Sequence, residues 1–277
     1  MKTIKSVEEM KEIASSYETK SVGFVPTMGA LHAGHLSLVR RARKDNEITV
    51  VSIFVNPAQF GPREDFKAYP RILEKDQALL EREKVDYIFV PEVEDMYPDD
   101  FSTSIHVSTL TDHLCGYYRH GHFDGVVLVV NKLFNIVRPS RAYFGQKDAQ
   151  QFRVLKKMVE DLNIYVEMIE MPIVRETDGL ALSSRNMYLS SSERQEAPVL
   201  HQAIKYAADK IRSGRKDAYN IRLEAIEKLR VYPDIKVQYL EIVDEKTLQP
   251  VSEISSKVIV AAAIYLGKTR LIDNEIV

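Results

Sequence analysis

The chain has one cysteine, almost no net charge and no long apolar run. Cys115 alone cannot form an internal disulfide or supply a four-thiolate zinc site, and a lone cysteine is usually inert and buried. No segment approaches the ~18 consecutive apolar residues of a membrane span. The N-terminus leads into a polar segment with no apolar run of signal-peptide length. We therefore expect a cytoplasmic protein.

A formal charge of −2 on 277 residues leaves no chain-wide basic field that could hold a nucleic-acid backbone. The sequence also shows no internal repeat and no low-complexity tract. Hydrophobic residues make up 45% of the chain and charged residues 28%, which is typical of globular proteins with a full core. The length suits one large and one small domain.

The stretch from residue 22 to residue 44 carries the most informative pattern. Its first four residues predict a buried strand, which Pro26 should end, and Gly29 and Gly34 then mark a tight turn. From His35 onward, apolar residues recur at helical spacing. A strand, glycine turn and helix in this order present backbone N–H groups and the positive end of a helix dipole, which together suit a phosphate group.

Two histidines stand at the predicted start of this helix. His32 and His35 bracket Gly34 in an H-x-G-H pattern, and their imidazoles could donate to phosphate oxygens and stabilise charge that grows during transfer. The alternative is that they only cap the helix end and contact water. The turn is not the G-x-G-x-x-G of a dinucleotide-binding fold, because after the predicted strand it holds only Gly29 and Gly34.

Strand and helix patterns alternate as far as residue 175, and this alternation predicts a mainly parallel sheet. Beyond it, two helices are predicted over 193–212 and 217–231, followed by strand-like runs over 235–244, 257–266 and 269–272 that can pair antiparallel. The predicted fold class is α/β: a Rossmann-like parallel sheet with the H-x-G-H motif in residues 1–175, and a smaller α+β domain in residues 176–277.

Four further polar residues are candidates for binding. Gln59 and Gln151 are neutral amides that suit the hydroxyls and carboxylate of a small acid, and loops like that of Gln59 line the crevice of a parallel sheet. Lys147 follows a strand and a glycine, so its ammonium could reach a phosphate, while Asp148 could accept from sugar hydroxyls or orient a metal-bound water. A surface ion pair is the alternative for these two residues.

The segment Ser183-Ser184-Arg185 combines two hydroxyls with a guanidinium, which makes a suitable clamp for phosphate oxygens. A plain interdomain loop explains the same spacing equally well. The stretches at 26–35, 54–60, 145–151 and 182–186 read PTMGALHAGH, FVNPAQF, GQKDAQQ and LSSRN. Together they resemble the pantothenate synthetases (pantoate–β-alanine ligases), a family of the nucleotidylyltransferase superfamily.

That resemblance implies an ATP-dependent condensation of pantoate with β-alanine through a pantoyl-adenylate intermediate, with release of pyrophosphate and AMP. It implies catalytic roles for His32, His35, Lys147 and Arg185. It implies pantoate contacts for Asn56, Gln59 and Gln151. The implied ATP-binding residues are Met28, Gly29, His32, His35, Gly145, Lys147, Asp148, Val174, Leu182, Ser183, Ser184 and Arg185.

The resemblance also implies Mg²⁺ with ATP, a lid role for the C-terminal domain and a homodimer. No dedicated metal site is expected, because a cation held largely by phosphates needs none. Arg119, His122 and Phe123 match a family loop and receive a supporting role. The alternatives are a nucleotidylyltransferase that adenylates a phosphate-bearing acceptor, a non-catalytic ATP sensor and, less favoured, a class I tRNA synthetase.

Overall fold

The computed structural model describes residues 1–17, 19–62 and 64–277, which form two compact units. The first unit comprises Met1–Ser108, Arg119–Gly145 and Gln151–Pro172, and the second comprises Thr109–Tyr118, Gln146–Gln150 and Ile173–Val277. The chain passes between the units several times, so a single boundary after residue 175 stays a prediction. None of the helices described is long and apolar enough to cross a membrane.

The strands and helices are numbered in chain order. The strands are β1 (Lys2–Ile4), β2 (Val22–Thr27), β3 (Ile48–Ile53), β4 (Tyr87–Phe89), β5 (Arg141–Gly145), β6 (Glu167–Met171), β7 (Ile235–Asp244), β8 (Val258–Leu266) and β9 (Thr269–Ile276). The α-helices are α1 (Val7–Ser15), α2 (Ala33–Asp45), α3 (Leu73–Arg82), α4 (Val93–Met96), α5 (Leu114–Tyr118), α6 (His122–Val137), α7 (Ala149–Asp161), α8 (Ser191–Glu196), α9 (Val199–Arg212) and α10 (Ala218–Arg230).

The first unit is built on a six-stranded parallel sheet in the order β1-β4-β3-β2-β5-β6. This confirms the predicted Rossmann-like sheet and adds β1, which the sequence patterns did not predict. Consecutive residues of β2 bury their side chains on opposite faces. Phe24 packs edge-on against Phe134 of α6, with ring centroids 6.4 Å apart, whereas Val25 clusters with Val39 of α2 and Leu80 of α3. Helices therefore cover both faces of the sheet.

Pro26 does not end β2, which continues to Thr27, so that prediction was wrong. Pro26 is in register with Ser52 of β3, but β5 pairs with β2 only at Gly23 and Phe24. The missing N–H of the proline thus falls where β2 has no partner on its β5 side, and a proline is tolerated there. The segment 91–100 after β4, which is rich in acidic residues, contains α4, and residues 104–107 have no regular secondary structure.

The second unit contains a three-stranded antiparallel sheet in the order β7-β8-β9, as predicted, and α9 and α10 pack in its core. The single helix predicted over 193–212 is two helices, because Pro198 supplies no N–H and restricts the residue before it. β9 also extends beyond its predicted end to Ile276. Cys115 is buried, as predicted.

Candidate active site

The turn between β2 and α2 has the backbone that its glycine predicts. Gly29 has a φ of 84° and Ala30 a φ of 50°. The Thr27 hydroxyl fixes this turn against β3, since it donates to the Ser52 carbonyl at 2.8 Å and accepts from the Gly29 N–H at 3.2 Å. Gly34 was predicted in the same turn but lies inside the first turn of α2. The tight turn therefore depends on Gly29.

A buried carboxylate holds the same turn from the other side. One oxygen of Asp76, in α3, accepts from the Ala30 N–H at 2.8 Å, and the second accepts from the Leu31 N–H at 2.8 Å. Burial raises the pKa of Asp76, although both N–H groups act in the opposite direction. Sequence reasoning missed this residue. The signal was present, because Asp76 stands on the inward stripe of α3 with Leu73 and Leu80.

The two predicted histidines cap α2 through their Nδ1 atoms. For these atoms, the alternative that the histidines cap the helix end is correct. Nδ1 of His32 accepts from the Gly34 N–H at 3.1 Å, and Nδ1 of His35 accepts from the His32 N–H at 3.4 Å. A neutral imidazole that accepts at Nδ1 carries its hydrogen on Nε2. The ring centroids lie 4.1 Å apart. The caps therefore turn both rings into Nε2–H donors at the positive end of the α2 dipole.

The loop after β3 brings three predicted site residues together. Nδ2 of the buried Asn56 donates to Oε1 of Gln59 at 3.0 Å, and Nε2 of Gln59 lies 3.1 Å from Sδ of Met28. Tyr97 donates to Oδ1 of Asn56 at 2.8 Å, and burial raises the pKa of this tyrosine, which keeps its hydroxyl protonated. Because the thioether sulfur of Met28 is a weak acceptor, the Nε2–H group of Gln59 can exchange this contact for a hydrogen bond to a ligand.

The start of α6 packs directly against this loop. The Asn56 amide also donates to the Gly125 carbonyl at 3.0 Å. A Cβ atom at Gly125 would lie 2.2 Å from the Ala58 carbonyl oxygen and 2.6 Å from the Gln59 nitrogen. Only glycine permits this approach of two backbones.

A chain of polar contacts buttresses the Gln59 backbone. Nδ1 of His122 lies 2.8 Å from the Gln59 carbonyl oxygen, and Arg119 contacts Nε2 of His122 at 2.9 Å. Arg119 also forms a bidentate pair with Glu64, with both distances 2.7 Å. The structure thus gives Arg119 and His122 a supporting position behind Gln59. Gln151, in the first turn of α7, is partly buried, and its predicted place beside Gln59 stays a prediction.

In the second unit, Lys147 lies in a 3₁₀ turn, Gln146–Asp148, that directly follows Gly145 at the end of β5. Its Nζ is 3.7 Å from Oδ1 of Asp148, and the two side chains are 20% and 46% exposed. The contact is long for an ion pair and the lysine is mostly enclosed by protein. A surface ion pair with Asp148, the alternative considered above, therefore explains the position of Lys147 poorly.

The segment 174–185 of the second unit forms a short hairpin followed by a 3₁₀ turn. The Leu182 N–H donates to the Val174 carbonyl at 3.0 Å, which brings two predicted ATP residues together. Ser183 caps the 3₁₀ turn Ser184–Tyr188 by accepting from the Arg185 N–H at 3.3 Å. The hairpin itself is fixed by Arg175, which forms a bidentate pair with the buried Asp273 at 2.6 and 3.0 Å.

The predicted site residues thus divide between the two units, and Gly145 at the end of β5 and Gln151 in α7 belong to the first. In the first unit, Met28, Gly29, His32, His35, Asn56 and Gln59 share the turns after β2 and β3. In the second, Lys147 and Asp148 share one turn, and Val174 and 182–185 share the hairpin segment. Among the residues that the structure describes, no group of three His, Cys, Asp or Glu side chains could hold a metal ion.

Comparison with known proteins identifies a family over the whole chain. The family model for pantoate-beta-alanine ligase matches residues 2–276. Pantothenate synthetase from Thermotoga petrophila is 60% identical over 278 residues, covering 100% of this chain and 99% of that protein. The protein of the same name from Pseudothermotoga lettingae is 58% identical over 277 residues, covering 100% of this chain and 99% of the relative.

Solved structures agree with this assignment. The crystal structure of pantothenate synthetase from Thermus thermophilus matches with a TM-score of 0.94 and 47% identity, covering 99% of each chain. Pantoate-beta-alanine ligase from Francisella tularensis, complexed with beta-gamma ATP and beta-alanine, matches with a TM-score of 0.78 and 33% identity, covering 99% of this chain and 97% of that one.

Proposed function

Because this chain belongs to the pantoate–beta-alanine ligase family, we propose that it joins pantoate to β-alanine in an ATP-dependent reaction. The observation that carries the proposal at the level of residues is the pair of Nε2–H donors on His32 and His35, at the N-terminus of α2. Two imidazole donors at the positive end of a helix dipole suit the oxygens of a nucleotide phosphate.

The proposed reaction has two steps. A carboxylate oxygen of pantoate attacks the α-phosphorus of ATP, and the bond from that phosphorus to the bridging oxygen breaks, which gives pantoyl adenylate and pyrophosphate. The amine of β-alanine then attacks the acyl carbon, the bond to the AMP oxygen breaks, and the nitrogen loses a proton. A free carboxylate is a poor acyl donor, and adenylation gives it a good leaving group.

The residues of the first unit would position the acid and stabilise charge on the phosphate. We assign pantoate to Asn56, Gln59 and Gln151. The amides of Gln59 and Gln151 can pair with its hydroxyls and carboxylate without burying another charge, and Asn56, whose amide hydrogens go to Gln59 and the Gly125 carbonyl, would orient Gln59. We assign the phosphate to His32 and His35, whose donors are fixed before the nucleotide arrives. Donors that are already oriented need no reorganisation during the reaction. Electrostatic stabilisation of the transition state gains most from this preorganisation.

The residues of the second unit would also bind the nucleotide. In this proposal Lys147 and Arg185 stabilise the charge that develops as pyrophosphate leaves, and Asp148 accepts from the ribose hydroxyls. The remaining proposed ATP contacts are Met28, Gly29, Gly145, Val174, Leu182, Ser183 and Ser184.

Mg²⁺ is the cation that family membership implies for ATP. The described residues do not fit an all-protein cage for it. We propose that its ligands are mainly phosphate oxygens and water, which is the usual arrangement for Mg²⁺ with nucleotides. A homodimer in the cytoplasm completes the proposal.

The family favours this ligase activity over the three alternatives, which are transfer of AMP to a phosphate-bearing acceptor, ATP sensing without turnover and a class I tRNA synthetase. An omission assay tests it. We expect the purified chain to release pyrophosphate from ATP when pantoate is present, and to form AMP and pantothenate when β-alanine is added. Pyrophosphate release that needs a phosphorylated acceptor instead of pantoate, or ATP binding with no turnover, would contradict the proposal.

A further inference from the structure

The last strand of the chain contacts the turn that carries Lys147. Nδ2 of Asn274, in β9, donates to the carbonyl oxygens of Gln146 at 2.9 Å and Lys147 at 3.0 Å. Oδ1 of the same amide accepts from Nε2 of Gln146 at 3.3 Å. Asn274 is only 3% exposed. One buried amide therefore uses both of its hydrogens and its oxygen on a single three-residue turn.

These contacts fix the backbone of Lys147 more strictly than one hydrogen bond could. Both hydrogens of an amide group lie in one plane, so donating to two successive carbonyls sets the orientation of the turn as well as its distance from β9. A buried amide that lost these partners would cost about 1–3 kcal/mol, so Asn274 and the turn hold each other in place. The side chain of Lys147 then starts from a fixed Cα position.

The preceding residue of β9, Asp273, holds a different segment of the second unit in place. Asp273 pairs with Arg175 of the hairpin that precedes Ser183, and it accepts from the Asn274 N–H at 2.8 Å. Adjacent side chains of a strand point to opposite faces of the sheet. Two consecutive buried polar residues thus hold two segments to which the proposed function assigns ATP contacts.

We propose that Asn274 is a positioning residue for Lys147. It holds the Gln146–Asp148 turn, so the backbone of Lys147 is already ordered when its ammonium group meets the nucleotide. This inference rests on the proposed function, because it matters for catalysis only if Lys147 contacts ATP. The polar atoms of the Asn274 amide are all engaged with the turn. Its effect on catalysis must therefore pass through Lys147.

A double-mutant cycle tests this coupling. Asn274→Asp keeps the size of the side chain but removes both N–H donors. We expect it to lower kcat/KM for ATP by about tenfold to a hundredfold, with KM for pantoate unchanged, because two hydrogen bonds are lost. In a Lys147→Ala background the same substitution should change kcat/KM for ATP by less than about twofold, since the group that it positions is already absent.

Glu275→Gln is the matched control, because Glu275 is the next residue of β9 and pairs with Arg212 at 2.5 Å instead of with the turn. It should change kcat/KM for ATP by less than about twofold in either background. Asn274→Ser, which keeps one donor, should show a loss between those of the wild type and Asn274→Asp. This variant also provides the measurement if Asn274→Asp fails to fold, a point that thermal unfolding decides.

Equal fold losses for Asn274→Asp with and without Lys147 would overturn the inference, because Asn274 would then act by another route. No loss in the wild-type background would overturn it too. If Lys147→Ala alone leaves kcat/KM for ATP intact, the assignment of Lys147 in the proposed function fails, and the inference falls with it. The single Lys147→Ala variant therefore shows which of the two claims is at fault.

Discussion

Nη1 of Arg119 lies 2.9 Å from Nε2 of His122, and this contact decides which ring nitrogen carries hydrogen. A guanidinium can only donate, so Nε2 of His122 accepts, and the hydrogen of the neutral ring lies on Nδ1. Nδ1 then donates to the Gln59 carbonyl at 2.8 Å. The tautomer of His122 is opposite to that of His32 and His35. The difference fits their proposed tasks, since one ring supports the protein backbone and two present donors to a ligand.

Replacing His122 should therefore affect pantoate more than ATP. His122→Leu removes the 2.8 Å donor of the buried Gln59 carbonyl, which then keeps only a longer contact of 3.4 Å from Nη2 of Arg119. We expect KM for pantoate to rise on the order of tenfold, with KM for ATP within about twofold of the wild type. His122→Asn can place an N–H near the position of Nδ1 and should recover part of the loss. Steady-state rates of AMP formation at varied pantoate concentration measure both.

His106→Leu is the control for that series. His106 pairs with Asp124 at 2.8 Å on the surface, with side chains 63% and 45% exposed, so its loss should leave both KM values unchanged. An equal rise in KM for ATP and for pantoate in His122→Leu would show general damage to the fold instead of a specific effect on Gln59.

Glu64 should make stability depend on acid pH. Burial by itself would raise its pKa, but the hydrogen bonds and charge of Arg119, together with the Gly61 N–H, hold the pKa below its ordinary value of 4.5. Since the folded state keeps this carboxylate ionised, its contribution to the free energy of unfolding is present above pH 4.5 and is lost as the pH falls below that value.

We expect Glu64→Gln to flatten the decline in the free energy of unfolding below pH 4.5, as measured by urea denaturation at a series of pH values. The partly exposed ion pair of Glu64 with Arg119 should account for no more than about 1 kcal/mol of the free energy of unfolding that is lost in acid. Glu94→Gln, at an exposed position of α4, should alter the slope less. If the free energy of unfolding of Glu64→Gln fell more steeply with acid than that of the wild type, the pKa of Glu64 would be shifted in the opposite direction.

Asp76→Asn should disturb the turn that leads into α2. An amide offers one acceptor oxygen, so either the Ala30 or the Leu31 N–H would face an NH₂ group instead of an oxygen. We expect the free energy of unfolding to fall by about 1–3 kcal/mol and kcat/KM for ATP to fall on the order of tenfold.

The control for Asp76 is Asp86→Asn. Asp86 also accepts from a backbone N–H, that of Thr49 at 2.8 Å, but Thr49 belongs to β3 and not to the turn before His32. It should cost stability without lowering kcat/KM for ATP. If both variants lower kcat/KM in proportion to their loss of stability, Asp76 has no particular role in holding the histidines.

Gly125→Ala should damage the loop after β3, which carries Asn56 and Gln59, through simple overlap. The new Cβ would lie 2.2 Å from the Ala58 carbonyl oxygen, and only backbone atoms are there to move. We expect KM for pantoate to rise by more than about tenfold and the free energy of unfolding to fall by about 1–3 kcal/mol. Gly61→Ala is the matched control, because its Cβ would meet only the Glu64 side chain, with Cγ at 3.7 Å and Cδ at 3.8 Å. Unchanged KM for pantoate in Gly125→Ala would contradict the close packing of α6 on this loop.

The sequence patterns predicted the elements of the fold better than the contacts between them. The apolar runs that became β3 and β7, and the helical spacing of α2, are local features, so a short window reveals them. The parallel sheet followed from their alternation. Pro26 was misread because its tolerance in β2 depends on how far β5 extends beside it, which no local pattern contains.

The contacts that hold the site together are mostly distant in sequence. Asp76 lies 45 positions beyond Leu31, and Asn274 lies 127 beyond Lys147. Asp76 left a trace, as a charge on an apolar helix face, whereas Asn274 left none in a strand of mixed residues. The two readings of His32 and His35, helix cap and phosphate donor, could not be separated by sequence, and the geometry shows why: the cap at Nδ1 is what makes Nε2 a donor.

The most direct test of the account follows one oxygen atom. If pantoate labelled with ¹⁸O in its carboxylate is converted by the wild-type chain with ATP and β-alanine, attack on the α-phosphorus predicts that one labelled oxygen appears in AMP, because the amine displaces AMP together with that oxygen. Mass spectrometry of the nucleotide product gives the answer. AMP without label, or label in pyrophosphate or inorganic phosphate, would contradict activation of the acid as an adenylate.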